Sequence, residues 1–204
     1  FMHALRDEHG KPVTETPDIQ FHVSTLSADM AGGKVHRYSG FTMSVCQLRP
    51  ESRGYVRIRS LDPLQPPSMQ PNYLDTDLDR RTNVAAVRAA RSIAQSPAMA
   101  PYVKREVKPG LAAQSDEELL EFCRNNGATI FHPSGTCRMG HDAMAVVDSR
   151  LRVHGVKGIR VVDCSVMPTL VSGNTNAPVV MMAEKAADMI REDARQRAAA
   201  CAKG

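Results

Sequence analysis

Between residues 62 and 71 the chain carries Pro63, Pro66, Pro67 and Pro71, four prolines in nine positions. Proline fixes φ and has no N–H to donate, so this stretch is held extended or turned and no helix runs through it. It is expected as a surface crossing, and it separates two kinds of patterning. Upstream, Phe41, Met43 and Val45 alternate with Thr42 and Ser44, and Tyr55-Val56-Arg57-Ile58-Arg59 alternates again after Pro50-Glu51-Ser52-Arg53-Gly54. A period of two predicts strands: two antiparallel strands joined by a turn, with Val56 and Ile58 facing inward. Arg53, Arg57 and Arg59 then read as a solvated face rather than an anion site. Downstream, Val84, Val87, Ile93 and Ala94 recur near helical spacing, with Arg80, Arg81, Arg88 and Arg91 elsewhere. That predicts an amphipathic helix from about Asp79 to Ser96-Pro97. A second helix is expected to start at Ser115, where Glu118 completes a capping box, and to stop at Gly127 after burying Leu119, Leu120, Phe122 and Cys123. The first 40 residues offer only a short strand over residues 19–23 and turns at Gly10-Lys11-Pro12 and Ala31-Gly32-Gly33-Lys34.

Charge and cysteine content exclude several function classes. The 26 basic and 22 acidic residues are interspersed and leave a net charge of +4, so no block marks a nucleic-acid footprint or an anionic-membrane patch. No nucleic-acid partner and no membrane segment are expected. The five cysteines are widely spaced with no Cys-x-x-Cys pair, which fits reduced thiols in a cytoplasmic setting. His132, Cys137 and His141 match no familiar metal-ligand spacing and lack an evident fourth ligand, so no metal is expected. Hydrophobic residues make up 42% of the chain, enough for a real core.

The chemistry-bearing stretch comes later. His132-Pro133-Ser134-Gly135-Thr136-Cys137-Arg138-Met139-Gly140 sets a titratable imidazole among turn formers. Histidine exchanges a proton near neutral pH without large tuning. Ile159-Arg160-Val161-Val162-Asp163 reads as a short apolar strand ended by Met167-Pro168. Asp163 at its end is as well explained by turn closure as by function. Gly173-Asn174-Thr175-Asn176-Ala177-Pro178 then opens an apolar-rich helix over residues 177–191, with Asn176 as N-cap and Pro178 in the first turn. A helix start of this kind offers free N–H groups and a positive dipole end, which favour negative charge.

Taken in order, these segments, with Val161-Val162-Asp163-Cys164-Ser165-Val166-Met167-Pro168 and Glu184-Lys185-Ala186-Ala187-Asp188, resemble the carboxyl-terminal signature of the glucose–methanol–choline (GMC) oxidoreductases. Arg53-Gly54-Tyr55-Val56 and Asn72-Tyr73-Leu74 extend the likeness, which runs from about residue 41 to 191 and is nearest the choline-dehydrogenase-like branch. The resemblance implies an FAD enzyme that oxidises an alcohol by removing the hydroxyl proton and passing the carbon-bound hydrogen to flavin N5 as hydride. It implies that His132 is the base beside the substrate oxygen, with Asn174 as its partner. It also implies that Asp163 and the adjoining Cys164 lie near the ribityl and phosphate region, and that Thr175, Asn176 and Pro178 lie where the helix start meets the pyrimidine edge. Cys137 and Cys164 read as small side chains, not nucleophiles.

The family's Gly-x-Gly-x-x-Gly phosphate loop is absent. The expected fold is therefore α+β: an antiparallel sheet with flanking helices, the substrate domain of such an enzyme, plus the last strand and helix of an FAD-binding α/β domain whose amino-terminal part is missing. The expected division is residues 1–131 for the substrate-domain portion, 132–194 for the carboxyl-terminal part of the flavin domain, and 195–204 for a solvated tail. The missing amino-terminal portion and a small alcohol are the expected partners, and the isolated chain is expected to be inactive. The alternative is a non-catalytic or split fragment acting as a binding module. A metal-dependent hydrolase using His132 and His141 is weaker still.

Overall fold

A computed structural model describes residues 1–29 and 33–202, so part of the expected 31–34 turn lies outside the described residues. The chain forms two compact units, Phe1–Thr129 and Ile130–Gly204. In the first unit, β1 (Ile19–Ser24) pairs antiparallel with β2 (Thr42–Gln47), with Ile19 opposite Gln47 and Ser24 opposite Thr42. A second antiparallel pair joins β3 (Tyr55–Arg57) to β4 (Ser68–Gln70).

The expected hairpin between the two alternating stretches does not form, because β2 and β3 take different partners. The intervening segment is held by the start of α1 (Asp77–Ala94) instead. Asp79 is 2% exposed, and its carboxylate accepts from Gln47 Nε2 at 2.8 Å and from the Glu51 and Ser52 amides at 2.9 and 2.8 Å. Burial pushes this carboxyl up, but the donors from Ser52, Glu51 and Gln47 outweigh it and leave the pKa below its ordinary value. The ladder partner of β3 comes from within the proline-rich crossing, where Ser68–Gln70 fits between Pro67 and Pro71. Gly54 permits the approach, since an added Cβ would stand 2.0 Å from the Gln70 carbonyl oxygen. Val56 and Ile58, expected inside, are 52% and 89% exposed, because neither sheet of this unit lies over that face.

The helices follow their signals closely. Thr76 caps α1 by accepting from the Asp79 amide. α2 (Asp116–Asn126) begins with the full Ser115–Glu118 capping box and ends at Gly127. Val84 and Val87 of α1 pack with Leu119 of α2, which is fully buried, and with Leu120 and Cys123.

The second unit is built on α3 (Asn176–Cys201) and irregular, bridged backbone. Residues 159–163 do not form the expected strand: Arg160 makes a single antiparallel bridge to Arg152, and the Val161 amide donates to the Leu151 carbonyl. The bends on either side leave too short an extended run for a ladder. α3 runs ten residues past its expected end, so residues 195–201 of the expected tail form exposed final turns of helix. Its alanines, good helix formers, continue the intrahelical bonds without packing. The core of this unit is Val147, Leu151, Val166 and Ala186, with Met139, Val161 and Met182 around it. Asp193 ties α3 down by pairing with both Arg150, at 2.8 Å, and Arg160. No helix among the described residues is long and apolar enough to cross a membrane.

Candidate active site

The 132–140 stretch is aligned by a short ladder to the turn after Asp163. The Gly135, Cys137 and Met139 amides donate to the carbonyls of Cys164, Ser165 and Val166 at 3.3, 2.9 and 2.9 Å. Gly135 sits at φ 84, a left-handed conformation glycine adopts without a Cβ clash. Buried Val166 and Met167 anchor the other side, so the ladder transmits the position of the core to the motif. Phe131 also has positive φ, 61°, which costs a bulky residue about 1–2 kcal/mol. Its side chain is 80% exposed, so no burial offsets that strain, and the residue it delivers is His132.

His132 is half-buried and lies against the start of α3. Its Nε2 is 3.0 Å from Asn174 Nδ2, and its Nδ1 is 2.8 Å from Thr175 Oγ1. The structure therefore brings His132, Asn174 and Thr175 together, although 42 residues separate the histidine from the amide. An amide nitrogen only donates, so Asn174 Nδ2 addresses the Nε2 lone pair. The ring proton then belongs on Nδ1, facing a hydroxyl oxygen that accepts it. A neutral imidazole bare at Nε2 is the form that removes a proton from a hydroxyl, once the Asn174 amide yields that lone pair.

The other candidates occupy distinct places. Asp163 is exposed and caps the single 3-10 turn Cys164–Val166, its Oδ1 accepting from the Ser165 amide at 2.7 Å. Cys164 is a free thiol, and its carbonyl receives the Gly135 amide. Asn176 is the first residue of α3 and not its cap, a role the backbone assigns to Thr175. Asn176 is exposed, and Pro178 is half-buried in the first turn. The contact of Thr175 with His132 is the feature that residue patterning missed, because it depends on the direction of one hydroxyl and not on residue order. The first-turn amides of Asn176 and Ala177 have no intrahelical carbonyl partners. Thr175 supplies no side-chain cap either. This donor set at a positive helix end fits the electronegative edge of a flavin.

Comparison with known proteins agrees with this geometry. A GMC oxidoreductase family model matches residues 50–183. The oxygen-dependent choline dehydrogenase of Escherichia coli is 46% identical over 185 residues, covering 90% of this chain and 33% of that protein. The alcohol dehydrogenase [acceptor] of Pseudomonas putida is 44% identical over 179 residues, covering 88% of this chain and 32% of that protein. An arginine-to-lysine variant of a formate oxidase from Aspergillus oryzae RIB40, described for the effect of that mutation on FAD modification, superposes with a TM-score of 0.82 at 27% identity, over 91% of this chain and 33% of that one. The chain thus spans about a third of the length of the curated relatives it matches. A motif-bearing turn that sets an imidazole against an asparagine at a helix start, with likeness on this scale to FAD-dependent relatives, places the chain in the GMC oxidoreductase family.

Proposed function

We propose that this chain is the carboxyl-terminal portion of an enzyme that oxidises an alcohol CH–OH group to the aldehyde, with His132 as general base. The observation that carries the reading is the His132–Asn174 contact of 3.0 Å, with Thr175 on the opposite ring nitrogen. FAD, when bound, supplies the acceptor for the carbon-bound hydrogen as hydride. His132 Nε2 takes the hydroxyl proton as that hydrogen leaves, and the product carbonyl forms from the same C–O bond. Asn174 has no basic nitrogen; its amide donor, which rests on Nε2 in this structure, would pass to the substrate oxygen and orient it as Nε2 accepts the proton. The start of α3, with Thr175, Asn176 and Pro178, would hold the flavin ring and stabilise negative charge on it through its amides and dipole. Asp163 and Cys164 would face the ribityl chain, Asp163 holding the turn that sets their backbone. Choline and simple alcohols are the substrate class, by likeness to the dehydrogenases of Escherichia coli and Pseudomonas putida.

The test is anaerobic stopped-flow reduction of the flavin-loaded enzyme by an alcohol. His132→Ala slows reduction by about 10²–10⁴-fold, the usual contribution of a positioned base. A reduction rate equal to that of the parent enzyme removes His132 from the mechanism.

A further inference from the structure

We infer that Thr175 is the positioning residue for His132: its hydroxyl accepts the Nδ1 proton and holds the imidazole as the Nδ1–H tautomer, with the Nε2 lone pair turned toward Asn174. The consequence for rate rests on the reading of His132 as the base; the tautomer itself does not.

Three observations carry this. Thr175 stands at the N-cap of a 26-residue helix, where a threonine hydroxyl ordinarily accepts from an amide of the first turn, yet it makes no such bond. Its backbone is helical there, φ −88 and ψ −8, in place of the extended conformation that aims a capping side chain at the helix. The hydroxyl is instead 2.8 Å from His132 Nδ1, and Thr175 is only 5% exposed, so solvent competes poorly for the bond. A helix of this length has left its cap position chemically unused and directed the side chain at a residue 43 positions earlier. The partner of one imidazole nitrogen decides which state the other adopts. With Nδ1–H donated to Thr175, Nε2 is left to accept, which is the arrangement Asn174 Nδ2 meets at 3.0 Å. A hydroxyl suits this role better than a carboxylate would. It fixes the ring by accepting the Nδ1 proton without adding a charge beside it.

The experiment is long-range ¹H–¹⁵N correlation of the His132 ring in the 204-residue chain without flavin, above the histidine titration. The parent chain is expected to show Nδ1 protonated and Nε2 bare. Thr175→Val is expected to shift the tautomer ratio toward Nε2–H by about fivefold, the population equivalent of one net hydrogen bond. Thr175→Ser, which keeps the hydroxyl, restores the parent pattern. A parent spectrum dominated by Nε2–H overturns the proposal, whatever the variants do. So does a folded Thr175→Val whose ring pattern is unchanged. If Thr175→Val fails to fold, Thr175→Ala is read in its place. In the flavin-loaded enzyme, Thr175→Val lowers the flavin reduction rate by about fivefold with substrate KM held, and Thr175→Ser recovers it. Normal flavin reduction by His132→Ala defeats the proposed function but leaves the ring geometry standing. A missing tautomer shift defeats the positioning role and leaves the base in place.

Discussion

At the level of single residues the site is a matter of which atom each side chain offers. His132 is useful as a base because its two nitrogens have different neighbours, a donor amide at Nε2 and a hydroxyl at Nδ1. Residue types in order along the chain make His132, Asn174 and Thr175 candidates, but the contact of Thr175 with His132 is invisible to that reading, since it depends on the direction of one hydroxyl. Nearby, Arg138 and Asp142 form a two-bond ion pair that closes the end of the motif. The Arg138 guanidinium, helped by the Met144 amide, lowers the Asp142 carboxyl from its ordinary 3.8 to about 2. A carboxyl depressed on folding contributes stability above its unfolded pKa and loses it as protons bind the native state. The contribution is therefore complete above about pH 4 and fades as pH falls from 4 to 2. The difference in Tm between the parent chain and Asp142→Asn should shrink over that window and stay constant above it. A difference flat from pH 2 to 6 would show that the pair adds nothing to the folded state.

Among the elements, the helices and the strands β1, β2 and β3 were readable, whereas β4 and the strand pairing were not. The Ser115–Glu118 capping box, the Gly127 stop and the apolar face of α2 are local signals, and each acts within a few residues of where it is written. Leu119 is fully buried against Val84 and Val87, so Leu119→Ala should lower unfolding free energy by about 2–5 kcal/mol in urea titrations followed by far-ultraviolet circular dichroism. A loss below about 0.5 kcal/mol would mean that the α1–α2 contact is not part of the cooperative core. Strands depend on partners elsewhere in the chain. The alternation over residues 41–45 and 55–59 marked extended backbone correctly. It carried no information that β2 would pair with β1 and β3 with a strand between two prolines. The apolar run at residues 159–163 shows the same limit: it is extended at Arg160, but no second strand lies alongside to make a ladder.

The molecule as a whole spans about a third of the length of the curated relatives it matches. Its 13 glycines form no Gly-x-Gly-x-x-Gly loop, the motif that commonly cradles a dinucleotide pyrophosphate. The 204-residue chain, incubated with excess FAD and passed through gel filtration, should emerge with flavin well below one equivalent. A yellow, stoichiometric complex would mean that the α3 start and the Asp163 turn hold the cofactor unaided. The sequence by itself determined the family, the helices with the Ser115 cap, and the residue types of the site. Those properties are set by side-chain identity and by interactions within a turn or two. Only the tertiary structure decided the strand partners, the solvent exposure of Val56 and Ile58, and the turning of the Thr175 hydroxyl toward His132. Each of these joins atoms far apart in the chain, and such contacts come into being when the core packs.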